Sequence, residues 1–203
     1  MVILLNGSLK GKRGNGYYLL GRLQECKLGE CVERNIVSVL KDIEGFLGDL
    51  AKADALVIAA PLYVDGLPAQ VLRLMEAMYE RRDDMPGGLP VYVVSNLGFF
   101  ESSQIRPLLD MGRNWCVRMN FVYGGGVAVG AGGMMSAFRS VPLGKGPNRS
   151  LGRALTQLAQ AIREKKQIEN AFVQPDWIPR FGYMMAAHSL FRSTGRKNGA
   201  KVE

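Results

Sequence analysis

Apolar residues recur along most of the chain at three- and four-residue intervals, but Ala55 to Ala60 is continuously apolar and uncharged. That pattern fits a strand buried on both faces of a parallel sheet. It ends at Pro61, and Pro61 to Leu67 carries turn residues in Pro61, Asp65 and Gly66. Pro68 can open a helix, because the first turn does not need its missing N–H. Val71, Leu72, Met75, Met78 and Tyr79 then fall on one helical face, with Arg73, Glu76 and Glu80 on the other. In open α/β sheets, a loop at the carboxyl end of a central strand is where ligands usually sit.

The same strand, loop, helix order repeats. Val2 to Leu5 predicts a strand that runs into Asn6–Gly16, a loop of four glycines with Ser8, Lys10, Lys12 and Arg13, before a helix beginning at Tyr17. Free N–H groups, positive charge and a helix N-terminus suit this loop to a phosphate. It matches neither the nucleoside-triphosphate loop nor the dinucleotide fingerprint, and a plain glycine turn with exposed lysines is the alternative. Val32 to Leu40 predicts a second strand nearer the sheet edge. Asp42 can cap a helix striped by Ile43, Phe46, Leu47 and Leu50.

Val91 to Val94 is a fourth strand, leading into Ser95–Glu101, and a helix follows with Ile105, Leu108, Leu109, Gly112, Trp115, Cys116 and Met119 on one face. Cys116 therefore reads as a core thiol. Phe121 to Val129 predicts a fifth strand in which Gly124, Gly125 and Gly126 signal a bulge or a close backbone approach. The aperiodic Gly130–Asn148 segment reads as a functional flap or an oligomer contact. Ser150 is placed to cap a last helix through Ile162. The whole predicts a three-layer, doubly wound α/β fold with a five-stranded parallel sheet. It divides into a domain over 1–168 and an apolar, then basic, extension over 169–203.

Composition narrows the setting. With 203 residues, 47% of them hydrophobic, the chain suits one domain with a substantial core, and no apolar run approaches the roughly 20 residues of a membrane span. The start lacks a secretory pattern, so a cytoplasmic location is expected. Cys26, Cys31 and Cys116 make neither a disulfide framework nor a metal-ligand spacing. The net charge of +8 gathers at Lys10, Lys12 and Arg13 and at Arg192, Arg196, Lys197 and Lys201, without the interleaved aromatics of a nucleic-acid stripe. The extension, with the solitary His188, reads first as a subunit contact in a dimer or tetramer and second as a membrane-surface segment.

Taken together, GSLKGKRGNGYYLL, DALVIAAPLYVDGLPAQVLRLME and VVSNLGFFES resemble the flavodoxin-like superfamily, and within it the NAD(P)H-dependent FMN reductases and related small flavoproteins. The resemblance covers roughly residues 1 to 165. It implies an FMN phosphate at Ser8, Lys10, Asn15 and Gly16. It implies an isoalloxazine ring flanked by Pro61, Leu62, Tyr63, Val64, Asp65 and Gly66 on one side and by Asn96, Gly98, Phe99 and Phe100 on the other. Hydride would come from NADH or NADPH and leave to a small-molecule electron acceptor, a quinone, flavin or similar compound, with the cofactor carrying the hard chemistry. Gly16 departs from the family, which commonly has a serine or threonine there, and the sequence pI of 9.6 departs from the acidic surface of flavodoxin electron carriers. An electron carrier and a flavin-free interaction domain remain the alternative readings.

Overall fold

The structure is a computed structural model that describes residues 1–200; Lys201, one of the terminal basic residues, lies outside the described residues. Six parallel strands form a single sheet: β1 (Val2–Asn6), β2 (Cys31–Asn35), β3 (Ala55–Pro61), β4 (Pro90–Asn96), β5 (Val122–Val129) and β6 (Ala171–Val173). Their order is β2-β1-β3-β4-β5-β6. The first five follow the flavodoxin-like doubly wound order, whose switch point lies between β1 and β3. Every residue of β1, β3 and β4 is buried, as the continuous apolar runs require.

Helices α1 (Asn15–Gln24) and α6 (Arg149–Glu164) cover one face of the sheet. The other carries α2 (Ile36–Val39), α3 (Ile43–Leu50), α4 (Ala69–Glu80) and α5 (Arg106–Arg118). Two apolar cores result, one on each face: Leu19, Leu23, Leu155 and Leu158 anchor the first, and Ile36, Leu50, Val71 and Leu109 the second. A last helix, α7 (Arg180–Lys197), follows β6, and Tyr183 is its one buried residue.

Four details differ from expectation. The sheet has six strands rather than five, because the three-residue β6 pairs with Val127–Val129 of β5; three residues are too few to show a period. The second strand stops at Asn35 rather than Leu40. There the Asn35 side chain accepts a hydrogen bond from the Val37 N–H at 2.9 Å and starts α2. Ser150 does not cap α6 but lies inside it. Asp176, 26 residues downstream, receives both the Ser150 N–H and its hydroxyl at 2.7 Å. In α4, Leu74 joins the buried stripe while Tyr79 stands exposed.

The glycines of β5 answer to neighbours within the fold. The register shifts opposite Val91 and Tyr92, so that Gly124 is an inserted residue. A Cβ on Gly124 would lie 2.2 Å from the ring of the fully buried Tyr92. Gly125 has φ +117°, and a Cβ there would meet the Ile168 carbonyl at 2.6 Å. The close approach foreseen for this strand is thus made by the protein itself. Asp42 does cap α3, accepting from the Gly45 N–H at 2.9 Å. Cys116 is fully buried, and burial pushes its thiol up to about 12.

Candidate functional site

Because β1, β3 and β4 are parallel and adjacent, their carboxyl ends open onto one edge of the sheet. A cleft of about 260 Å³ lies there. Nine of the residues expected at a site meet in it: Ser8, Lys10, Asn15, Gly16, Pro61, Leu62, Tyr63, Asn96 and Gly98. Arg13 and Gly14 of the Asn6–Gly16 loop and Leu97 of the loop after β4 line it too, and so do Gly132 and Gly133, which no sequence motif marks. Gly132 and Gly133 belong to the aperiodic segment, whose lack of pattern hid which of its residues turn inward.

One end of the cleft is built for an anion. Gly14 precedes α1 and offers no side-chain cap, and the first helical N–H to find a backbone acceptor is that of Tyr18, on Gly14. The N–H groups of the turn before it point outward at the positive end of the helix dipole. Lys10 and Arg13 stand beside them. The loop is shaped by Asn6, a buried residue at the end of β1 that no motif singles out. Its Oδ1 accepts from the Ser8 N–H at 3.1 Å and its Nδ2 donates to the Gly11 carbonyl at 3.2 Å. This accounts for Gly16, since a Cβ there would press within 3.2 Å of Asn6 Oδ1. A serine or threonine there would have to push the carboxamide back by a few tenths of an ångström.

The other walls are backbone. The Leu62 N–H donates to the Asn96 carbonyl at 2.8 Å, tying the two loops together, and the Gly132 N–H donates to the Leu97 carbonyl at 2.8 Å. The Asn15 side chain donates to the Gly132 carbonyl at 3.0 Å, so it holds the third loop in place. Beyond the cleft, Tyr63 and Gly66 exchange two backbone hydrogen bonds, 3.0 and 3.1 Å, across a two-residue turn. Val64 and Asp65 form that turn with φ of 47° and 59°, left-handed values that are costly for a β-branched valine. Val64 is fully exposed at its tip.

Phe99 is also exposed. Phe100 turns away from the cleft and packs at a 43° tilt against Tyr183 with ring centroids 5.7 Å apart, lining a neighbouring cavity with Arg153 and Phe172. The Tyr183 hydroxyl donates to the Gly98 carbonyl, and Arg180 pairs with Glu101. The start of α7 therefore braces the loop after β4, a link between tail and site that no sequence pattern announced. His188 sits on the exposed part of α7, far along the chain from any acidic residue. Among the described residues no cluster of three or more His, Cys, Asp or Glu is placed to hold a metal ion, and no helix is long and apolar enough to cross a membrane.

No family model and no curated protein matches the chain. Solved structures do resemble it in shape. The flavoenzyme NAD(P)H:acceptor oxidoreductase FerB from Paracoccus denitrificans superposes with a TM-score of 0.56 at 14% identity, over 80% of this chain and 94% of that one. An NADPH-quinone reductase from P. pentosaceus gives 0.55 at 15% identity, over 79% and 94%. A flavone reductase gives 0.54 at 11% identity, over 98% and 92%. At these identities the likeness is one of fold, and the fold is flavodoxin-like.

Proposed function

We propose that the chain is an FMN-dependent oxidoreductase that takes hydride from NADH or NADPH and reduces a small acceptor such as a quinone or a flavin. The observation that carries this reading is the cleft itself, where an uncapped helix N-terminus with Lys10 and Arg13 adjoins two backbone loops from β3 and β4. A phosphate monoester needs N–H donors and cations, and both stand at one end of the cleft. A flat ring needs narrow walls with few protruding side chains, and Pro61, Gly98, Gly132 and Gly133 form such walls. The residues present fit the group. The solved proteins of the same shape that are described as NAD(P)H:acceptor, quinone or flavone reductases support the same reading.

Bound FMN would supply the redox chemistry, accepting a hydride equivalent from the nicotinamide and returning electrons to the acceptor. The protein's part is binding and orientation. Lys10, Arg13 and the N–H groups opening α1 hold the phosphate, while Asn6 and Ser8 keep their loop in shape. The Asn96, Leu97 and Gly98 carbonyls accept from Leu62, Gly132 and Tyr183 and the Leu97 N–H donates to Val129, so the loop is held rigid where its remaining N–H groups would meet the polar edge of the ring. The exposed Tyr63, Val64 and Phe99 border the mouth, where an acceptor enters. No acid–base pair is required of the protein.

The test is reconstitution with FMN followed by anaerobic addition of NADH or NADPH, then of a quinone. Bleaching of the flavin band by a nicotinamide and its return with the quinone is the expected result. Retention of FMN with no bleaching by either nicotinamide would make the chain an electron carrier instead.

A further inference from the structure

Past Tyr183, the helix α7 leaves the body of its own chain. Trp177, Phe181 and Phe191 are 77%, 75% and 73% exposed, and Leu190 and Met185 are 62% and 56% exposed. From Phe181 to Phe191 there is no charged residue, and over Trp177–Lys197 the four charges, Arg180, Arg192, Arg196 and Lys197, are all positive. Nine residues separate Phe181 from Leu190, which sets them on opposite sides of the helix. A helix lying on a lipid surface keeps one side in water. One that is apolar on opposite sides is matched by a protein groove that wraps it.

A groove able to seat one of those sides lies on the same chain. Between α4 and α5 lies an apolar trough of about 390 Å³ floored by Leu67, Leu72, Met75, Tyr79, Met111 and Trp115. Glu76, Glu80 and Arg118 form its rim. Asp83 and Asp84 follow at the same end, and among the described residues Glu76, Glu80 and Asp84 take part in no ion pair. Arg81 and Arg82 at that end pair with Glu44 and Asp83, so the rim stays acidic on balance and complements the arm, whereas like-charged arms would not pair with each other.

We propose that α7 of each copy lies in the α4–α5 groove of a second copy, in a reciprocal two-fold exchange. The apolar start of the arm meets the Leu67 and Met111 end, and its basic last turns meet Glu76 and Glu80. Phe181 to Arg192 spans roughly 17 Å, about the length of α4. At the exposures above, Phe181, Met185, Leu190 and Phe191 offer roughly 500 Å² per copy, and in a reciprocal exchange each copy adds its own groove floor towards the roughly 800 Å² that each partner contributes to a stable interface. The groove's near end adjoins the hairpin turn, because a Cβ on Gly66 would sit 3.4 Å from Met111 Sδ. The root of one copy's arm, at Gly98, is thereby brought beside the partner's exposed Val64, and each site is walled in part by the other subunit. The exchange stands whether or not the cleft binds flavin.

Sedimentation equilibrium of the full chain at micromolar concentration tests this. A dimer is expected, with Phe191→Asp and, separately, Glu76→Lys/Glu80→Lys each weakening it about 30-fold or more while circular dichroism stays unchanged. Adding Arg192→Glu/Arg196→Glu to the groove variant should recover most of that loss. A monomeric wild type overturns the proposal, and a monomer that co-sediments with phosphatidylserine vesicles assigns the arm to lipid. A dimer indifferent to the groove reversal removes α4–α5 as the seat and overturns it as well.

Discussion

Tyr92 and Gly124 illustrate how single residues set the sheet. Tyr92 is fully buried, and its hydroxyl shares its one proton between the carbonyls of Ala161 and Lys166, each 2.9 Å away, which holds the ring in place. Gly124→Ala should therefore cost about 3 kcal/mol, read as a lowered urea midpoint; an unchanged midpoint would mean that the bulge relaxes freely. The thiols divide by the same logic. Cys26 and Cys31 are partly exposed and Cys116 is buried with its pKa raised by desolvation. Iodoacetamide at pH 8, followed by mass spectrometry, should label Cys26 and Cys31 and spare Cys116 until urea is added. The sequence made Cys116 legible because it falls on a long apolar stripe. It left Asn6 and Gly16 opaque, because their roles depend on each other across ten residues and only the folded loop puts them within reach.

Elements were legible where their own period was strong. The apolar runs of β1, β3 and β4 and the stripes of α3 and α5 fall where the pattern put them, since burial on one or both faces writes directly into the residue order. Ends and caps were less so, because they are settled by distant partners. Asp176 caps α6 from the far side of β6, so Asp176→Ala should lower stability by about 1 kcal/mol, whereas Ser150→Ala, which keeps the backbone bond, should cost less. Equal losses for the two would contradict the cap. Where β1 and β3 begin, Asp54 accepts from Lys165 Nζ at 2.7 Å and from the terminal amine at 2.6 Å. Those bonds, Lys165 first, hold the carboxyl down at about 2 from an ordinary 3.8. A depressed carboxylate contributes stability that is complete above its ordinary pKa and lost as pH falls towards the folded value. Between pH 4 and 2, Asp54→Asn should flatten the decline in stability; a decline as steep as in the wild type would show that the pair is idle in solution, as exposed pairs often are.

At the scale of the molecule, the parallel order brings three strand ends together, and that convergence was readable because strand, loop and helix repeated three times with turn residues at the same place. Two contributions to the cleft were not readable. Gly132 and Gly133 arrive from a segment without period, and Tyr183 reaches Gly98 from 85 residues away. The basic loop opening onto a helix was legible, and the fold adds that this helix start has no side-chain cap. The most direct measurement is titration of the protein with FMN and with riboflavin, followed by flavin fluorescence. FMN should bind at one per chain and about 100-fold more tightly than riboflavin, with most of that preference lost in Arg13→Ala. Equal affinity for the two flavins, or binding of neither, would contradict it.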